Sequence, residues 1–158
     1  MNTDLMFSRA SDEWETPQYF FDELDAEFDF ALDVAATMEN RKCVNYIGGD
    51  HPMAVADALD VPWAHIVGGR ACWMNPPYSK CYAFMHKASL ESGRGATIVA
   101  LVPSRTDTRW WHQFVWNATL NKLRPGVEVR FVRGRLKFGE GKNSAPFPSV
   151  VVIFRPAA

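Results

Sequence analysis

Apolar side chains alternate along the chain between helical spacing and short continuous runs, which predicts a succession of helices and strands. Apolar residues recur at helical spacing over residues 17–27, after Thr16, the predicted N-cap, and Pro17, a favoured first-turn residue. The apolar run 30–36 predicts a buried strand that ends near Asp33. The chain is therefore predicted to begin with a helix packed by one face, followed by a strand.

The remaining segments continue this alternation. Turn-forming residues are frequent in 48–70, where we predict irregular structure. A second helix is predicted over 80–92, with Gly93 near its C-terminal cap, and a third over 107–117, capped near Asp107. Further strands are predicted, in chain order, at 41–47, 71–74, 96–102, 127–132 and 149–154.

Alternating strands and helices that end in two consecutive strands are typical of α/β proteins. We predict a three-layer α/β/α sandwich with a mostly parallel sheet and a C-terminal antiparallel strand pair. The chain has 158 residues, 47% of them hydrophobic, which suits one domain over 1–158 with a sizeable core. Residues 1–13 are predicted to form a polar N-terminal arm.

The composition argues against several classes of protein. No apolar stretch approaches the roughly 20 residues that span a bilayer, and the N-terminus lacks the pattern of a signal peptide. The three cysteines form no Cys-x-x-Cys pair, and the four histidines show no metal-ligand spacing. We therefore expect a soluble cytoplasmic protein with reduced core thiols, no metal and no membrane partner.

The near-neutral net charge conceals two oppositely charged halves. Residues 1–79 hold 4 Lys and Arg against 14 Asp and Glu, whereas residues 80–158 hold 13 against 4. A basic half favours an anionic partner such as nucleic acid. One segment of that half interleaves cations with apolar residues; the cations are Arg130, Arg133, Arg135 and Lys137. They indicate either a nucleic-acid surface or the solvent face of an amphipathic hairpin, and the segment alone does not separate the two.

The stretch 71–80, ACWMNPPYSK, contains the residues best suited to chemistry. Pro76 and Pro77 remove two backbone donors, so the strand must end at Asn75 in a stiff turn. The Asn75 side-chain oxygen and the Pro76 carbonyl would accept both hydrogens of a planar amine, and so stabilise the positive charge that develops as the amine attacks an electrophile. Tyr78 would stack on the ring that carries the amine. The alternative is a stiff strand exit without chemistry.

The chain resembles a known family along almost its whole length. Its Asn-Pro-Pro-Tyr looks like the catalytic motif of amino-group methyltransferases that use S-adenosylmethionine, and the segments WETP, LDVAA, LVPSRTDTRWWH and APFPSVVVIF resemble those of phage-type, Dam-like DNA N6-adenine methyltransferases. The resemblance implies a Rossmann-like fold of the class I methyltransferase type and an adenine flipped out of duplex DNA. It implies the host cytosol as location if the chain is phage-encoded. With no separate target-recognition domain, sequence preference would come from loops 48–70 and 133–148.

The same resemblance implies roles for individual residues. The catalytic turn would consist of Asn75, Pro76, Pro77 and Tyr78. S-adenosylmethionine would contact Trp14, Thr16, Pro17, Asp33, Ala35, Ala36, Asp57 and Asn75. The charge pattern, rather than the resemblance, predicts that Arg130, Arg133, Arg135 and Lys137 contact the phosphates of DNA. One departure from the family pattern is that the Gly-x-Gly usual after the first strand is missing.

Several alternatives remain open. One alternative is an enzyme that uses the same cofactor but methylates cytosine N4 or a protein glutamine. Another is a catalytically silent nucleic-acid binder that keeps only the fold. Asp33 could cap a following helix, and Trp14 could be a hydrophobic staple for the first helix. The tryptophans of 109–116 and Phe138 are predicted to pack in the core rather than to stack on bases.

Overall fold

A computed structural model gives the structure of residues 15–49, 57–139 and 145–157. Its helices are α1 (Gln18–Phe28), α2 (Trp63–Val67) and α3 (Cys81–Gly93). Its strands are β1 (Phe30–Asp33), β2 (Ala71–Met74), β3 (Thr97–Pro103), β4 (Trp116–Asn117), β5 (Lys122–Leu123), β6 (Val127–Phe131) and β7 (Ser149–Phe154). Shorter turns are the 3₁₀ turns Ala58–Asp60 and Tyr78–Lys80 and the π-helical turn Trp111–Val115.

Five of these strands form one mixed sheet in the order β1-β2-β3-β7-β6, and β4 pairs with β5 separately. β1, β2 and β3 are parallel, while β7 runs antiparallel to both β3 and β6. The predicted α/β class and the C-terminal antiparallel pair are confirmed. Because β6 runs in the same direction as β1 to β3, the carboxyl ends of these four strands lie at one edge of the sheet.

Both faces of the sheet are covered by hydrophobic side chains. Successive side chains of a strand point to opposite faces, and in β3 Ile98 and Val99 accordingly belong to two different clusters. The cluster of Ile98 includes side chains of α2, α3 and the π-helical turn, and the cluster of Val99 includes side chains of α1 together with Leu136 and Phe147. β2 and β7 are buried along their whole length, as strands covered on both faces are.

Helix α1 confirms the first predicted helix but begins differently. Its N-cap is Pro17, whose carbonyl accepts a hydrogen bond from Phe21 N at 3.2 Å. The predicted N-cap, Thr16, lies one residue earlier, and its hydroxyl is hydrogen-bonded to the Asn75 side chain instead. The Phe21 ring meets the Trp73 ring edge-on, with 5.3 Å between ring centroids. The start of α1 is thereby fixed against β2.

The prediction of a short strand over 41–47 is wrong. These residues bend, and Tyr46 makes a single parallel bridge with Asp33. The physical reason is that the Asp33 carboxylate accepts a hydrogen bond from Lys42 N at 2.9 Å, so the chain turns around this carboxylate instead of extending.

Two helical predictions also need correction. Part of 48–70, predicted to be irregular, forms a 3₁₀ turn and α2. The predicted helix over 107–117 is shorter, because its last turn is π-helical and β4 begins immediately afterwards. Thr108 rather than Asp107 stabilises its start, since Thr108 Oγ1 accepts a hydrogen bond from Trp111 N at 3.4 Å.

Most of the predicted core assignments are confirmed, although Trp116 and Cys43 are only half-buried. Trp110 and Trp111 are buried rather than available for base stacking. Cys72 and Cys81 are buried free thiols, and Cys43 is a half-buried one. Burial raises the pKa of Cys72 to about 12, so this thiol stays protonated at neutral pH.

A buried carboxylate connects α2 and α3. Glu91 is fully buried and accepts hydrogen bonds from Lys87 Nζ at 2.9 Å, Arg94 Nη1 at 2.8 Å and Ala64 N at 2.7 Å. Burial raises the pKa of Glu91, but the three donors outweigh it and hold the pKa below its ordinary value. Lys87 and Arg94 have the spacing of helical ion pairs with Glu91, whereas the Ala64 N–H is recognisable as a partner only once α2 is in place.

We expect Glu91→Gln to lower the free energy of unfolding by about 3–5 kcal/mol, because it removes the counter-charge of the buried Lys87 ammonium. Chemical denaturation at pH 7 measures the loss. The matched control is Arg94→Gln, because the Arg94 side chain is 58% exposed and an exposed ion pair is worth about 0–1 kcal/mol.

The pH dependence gives a second measurement of the same network. Because folding lowers the Glu91 pKa, its ion pairs stabilise the fold above the ordinary pKa of glutamate, and this stabilisation is lost as the pH falls below that value. Glu91→Gln should therefore flatten the acid limb of the stability profile. Equal losses from Glu91→Gln and Arg94→Gln at pH 7 would contradict the assignment.

Candidate functional site

The carboxyl ends of β1 and β2 bring Asp33 and Asn75 to the same edge of the sheet. Asp33 ends β1 and pairs with Trp73 of β2, and Asn75 directly follows β2. Val34 N donates to the Trp73 carbonyl at 3.1 Å, so the two chains remain side by side past the end of β1. Ligands of open α/β sheets bind at this edge. These two polar side chains therefore define the centre of the candidate site.

The Asp33 carboxylate is buried and held by backbone N–H groups. Asp33 is 2% exposed, and its Oδ1 accepts from Ala35 N at 3.2 Å while its Oδ2 accepts from Lys42 N at 2.9 Å. Burial raises the pKa of Asp33 to about 7, although both hydrogen bonds and the Lys42 charge oppose the rise. No helix follows Asp33 in residues 34–49, so this carboxylate organises a turn rather than a helix start.

Lys42 fastens this turn to the segment before α1. Its Nζ donates to Gln18 Oε1 at 3.1 Å and lies 3.9 Å from Glu15 Oε1, while its backbone N–H holds Asp33. The Lys42 side chain is 8% exposed. The turn after β1 and the entry to α1 therefore form one connected unit.

Asn75 is half-buried, and Thr16 contacts its side-chain amide. Asn75 Nδ2 donates to Thr16 Oγ1 at 3.0 Å, and Thr16 is 3% exposed. The two residues come from motifs that are 59 positions apart. The structure thus joins a residue predicted to bind cofactor to the residue predicted to be catalytic.

The two prolines shape the turn that follows. Pro77 is extended, with φ −56° and ψ 126°, and its carbonyl accepts from Lys80 N at 2.9 Å, which closes the 3₁₀ turn. The Tyr78 ring packs edge-on against Phe147, with 5.3 Å between centroids. The Tyr78 hydroxyl is buried without a hydrogen-bond partner in the described part of the chain, and burial raises its pKa. Aromatic packing therefore sets the orientation of this ring.

The segment after β6 carries three of the four predicted DNA-binding cations on its exposed side. They are Arg133, Arg135 and Lys137. Leu136 and Phe138 on the same segment are buried, as predicted for Phe138. The Phe138 ring lies 6.1 Å from that of Phe147, which contacts Tyr78. The exposed cations thus lie on a segment that packs, through Phe138 and Phe147, beside the Asn-Pro-Pro-Tyr turn.

Arg130 has a different environment. Its guanidinium donates to both Glu27 carboxylate oxygens, at 2.6 and 2.8 Å, and also to Glu128. These hydrogen bonds raise the pKa of Arg130. The fourth cation is therefore engaged by two acids, next to a groove of about 370 Å³ between α1 and β6.

Ala35 and Ala36 follow Asp33 and are half-buried. Their backbone N–H groups are both occupied, because Ala35 N donates to Asp33 and Ala36 N donates to the Ile47 carbonyl at 3.0 Å. These alanines therefore offer a small surface and carbonyl groups, but no amide donors, to a ligand at the strand end.

The remaining predicted cofactor residues lie in three different settings. Pro17 is buried as the N-cap of α1. Asp57 is exposed, and its carboxylate caps a 3₁₀ turn by accepting from Leu59 N at 3.1 Å. Trp14 lies outside the described residues, so its two predicted roles, as a cofactor contact and as a hydrophobic staple, stay predictions.

Sequence reasoning missed Lys42 and Phe147 as residues that build the site. Lys42 reaches Asp33 through its backbone N–H, a group that every residue other than proline carries, so no side-chain signal marks it. Phe147 does carry a signal, since it is an aromatic residue between two prolines in the segment APFP. Its partner Tyr78 lies far away in sequence, and the pairing becomes visible only in the fold.

Residues 15–49, 57–139 and 145–157 contain neither a candidate membrane-spanning helix nor a candidate metal site. No helix there is both long enough and apolar enough to cross a bilayer. The same ranges contain no group of three or more His, Cys, Asp and Glu side chains placed to hold a metal ion.

Known proteins resemble this chain over two thirds of its length or more. A family model described as DNA N-6-adenine-methyltransferase (Dam) matches residues 5–158. A DNA N-6-adenine-methyltransferase of Haemophilus phage HP1 (strain HP1c1) is 31% identical over 150 residues, which cover 93% of this chain and 80% of the relative. A DNA N-6-adenine-methyltransferase of Escherichia phage T1 is 28% identical over 108 residues, 68% of this chain and 42% of the relative. No solved structure matches the chain.

The raised pKa of Asp33 predicts a measurable loss of stability with rising pH. The folded state keeps this proton up to about pH 7, whereas the unfolded chain releases it near the ordinary pKa, so stability falls as the pH rises between the two values. Between pH 5 and pH 7 we expect the wild type to lose about 2 kcal/mol more than Asp33→Asn does. Denaturation curves of both proteins across this range measure the difference, and parallel profiles would contradict the buried, protonated carboxyl.

Proposed function

This chain belongs to the DNA N-6-adenine-methyltransferase (Dam) family, and on that premise we propose that it transfers a methyl group from S-adenosylmethionine to the N6 amino group of adenine in DNA. The observation that carries the proposal is the Asn75 amide, held by Thr16 at the end of β2 beside the buried Asp33. We also propose a Rossmann-like domain of the class I methyltransferase type, acting in the cytoplasm.

The catalytic turn compensates for a weak nucleophile. The lone pair of the adenine amine is delocalised into its ring, so the nitrogen attacks poorly. The Asn75 side-chain oxygen and the Pro76 carbonyl accept the two amine hydrogens, which draws the nitrogen towards tetrahedral geometry and stabilises its developing positive charge. The prolines fix the direction of the Pro76 carbonyl before the substrate arrives, and the methylated amine then releases one proton to water.

The residues at the strand edge fit the chemistry of S-adenosylmethionine. When bound, this cofactor supplies an electrophilic methyl group on a sulfonium. The Asp33 carboxylate suits its ammonium or its ribose hydroxyls, and the methyl side chains of Ala35 and Ala36 leave space beside the strand end. Following the family resemblance, we assign the methionine end to the segment of Trp14 and Pro17, and the cofactor adenine to Asp57. The N–H groups of both alanines are occupied and are not available to the cofactor.

An adenine inside a duplex cannot reach Asn75, so we propose that it is flipped out of the base stack. The Tyr78 ring, oriented by Phe147, stacks on the extruded base, a contact worth roughly 1–3 kcal/mol by alanine substitution. Arg133 and Lys137 contact the phosphates beside it, because both are exposed on the segment anchored at Phe147. Arg130 contributes less, since two carboxylates already engage it.

We expect Asn75→Ala to fold and bind S-adenosylmethionine but to lower kcat by about 10²–10³, because one preorganised acceptor of the developing charge is removed. Mass spectrometry of nucleosides from DNA incubated with enzyme and labelled cofactor measures the product, which should be N6-methyladenine. The matched control is Asn117→Ala. Asn117 is also half-buried, but its side chain accepts from Leu120 N in the turn between β4 and β5, so turnover should remain.

Other methylated products would change the proposed acceptor or the proposed substrate. N4-methylcytosine would keep the catalytic turn and change the acceptor, whereas a labelled protein glutamine without any methylated base would overturn DNA as substrate. Cofactor binding with no transfer to any acceptor would identify a catalytically silent nucleic-acid binder. A kcat of Asn75→Ala within about threefold of wild type would remove Asn75 from catalysis, given the decrease expected when one acceptor is removed.

Salt dependence tests the proposed binding of DNA phosphates. Replacing Arg133 and Lys137 together by Gln should make the slope of log affinity against log salt shallower by about 0.9 for each duplex phosphate that the variant no longer neutralises. Binding should weaken equally on all sequences, because phosphate contacts carry no base information. The matched control replaces two other exposed cations by Gln. They are Arg70, which precedes β2 at the opposite edge of the sheet, and Lys122 of β5. An equal change of slope in the control would contradict the assigned DNA surface.

A further inference from the structure

Thr16 stands where the sequence predicts a helix cap, yet it does not cap α1. In the described residues Pro17 is the N-cap and no side chain caps the helix start, although a threonine cap normally stabilises a helix. The Thr16 hydroxyl is instead 3.0 Å from Asn75 Nδ2, in a position that is 3% exposed. Departures from local sequence rules of this kind occur mainly at functional sites.

The backbone on both sides of Thr16 is held in place independently of Asn75. The carbonyl of Pro17 accepts from Phe21 N at 3.2 Å, and the Phe21 ring packs on Trp73. On the other side, the Glu15 carbonyl accepts from Gly139 N at 3.0 Å. Thr16 is therefore a fixed point against which the Asn75 side chain is oriented.

The orientation of the Asn75 amide matters because its two ends have opposite hydrogen-bonding character. The oxygen accepts and the NH₂ donates, and the two are exchanged by a rotation of the terminal torsion. A substrate amine needs an acceptor, so the rotated amide would present donors to a group that is itself a donor. Only one of the two orientations supports the proposed transfer.

We propose that Thr16 is a positioning residue that holds the NH₂ end of Asn75 and so directs the Asn75 oxygen to the substrate amine. This inference rests on the proposed function, and it differs from the cofactor contact that the sequence predicts for Thr16. A positioning residue acts on the rate of transfer at saturating substrates. A cofactor contact acts on the affinity for S-adenosylmethionine.

Kinetics of three variants of the full chain distinguish these roles. Thr16→Val keeps the shape but loses the hydroxyl, and should lower kcat about tenfold, as expected when one hydrogen bond that orients a reacting group is removed. The Kd of S-adenosylmethionine, measured by calorimetry, should stay within about twofold, because the missing hydrogen bond is made to Asn75 and not to the cofactor. Thr16→Ser should restore most of the turnover. The matched control, Thr97→Val at the start of β3 on the opposite edge, should keep wild-type kinetics.

Three results would overturn the inference. Unchanged kcat in Thr16→Val would show that orientation does not need the hydroxyl. Weaker cofactor binding with unchanged kcat would make Thr16 a cofactor contact. An equal decrease in Thr16→Ser and Thr16→Val would assign the effect to the methyl group of Thr16 rather than to its hydroxyl.

A readout that needs no activity separates this inference from the proposed function. Hydrogen exchange of the Asn75 side-chain NH₂, observed by NMR in protein labelled with ¹⁵N at asparagine and assigned with Asn75→Ala, should be slow in wild type and Thr16→Ser. In Thr16→Val, or in Thr16→Ala if valine prevents folding, exchange should be about tenfold faster because the bond that protects the amide is gone. Equal exchange in all variants would overturn the hydrogen bond itself. Protected exchange in a wild type that methylates no DNA would support the hydrogen bond and defeat the proposed function.

Discussion

Burial of both sheet faces is the constraint on which the remaining structure depends. Strands such as β2 and β7 have no solvent-facing side, so polar side chains are excluded from their interiors and are found where pairing stops. In this topology β1, β2, β3 and β6 all stop at the same edge. Asp33, the Asn-Pro-Pro-Tyr turn and the cationic segment after β6 therefore lie at that edge, although they are far apart in sequence.

Two buried carboxylates show how the donor set decides the protonation state of an acid. Glu91 is surrounded by two cations and one amide, and its pKa lies below the ordinary value. Asp33 has two backbone amides and a more distant cation, and its pKa is raised to about 7 by burial. The first arrangement suits a permanent charge that holds helices together. The second suits a carboxyl that becomes charged when a cationic ligand arrives.

Local patterns predicted most of the fold and the sequence-adjacent parts of the site. The apolar run before Asp33 and the two prolines after Asn75 mark strand ends by themselves, so both residues were placed correctly at the edge. The hydrogen bond between Thr16 and Asn75 was not predictable, because a threonine before a helix is more simply explained as a cap. The turn at Lys42 and the packing of Phe147 also depend on partners that only the folded chain provides.

The position of β7 has a consequence for how the protein is made. β7 is the last of the five strands along the chain, yet it lies between β3 and β6, with all six of its residues buried. As the ribosome extends the chain, β3 and β6 keep unpaired edges until residues 149–154 emerge, and unpaired edges associate with other chains. The nascent protein is thus most exposed to aggregation late in synthesis. A premature stop shortly before residue 149 would remove an interior strand of the sheet rather than an edge strand.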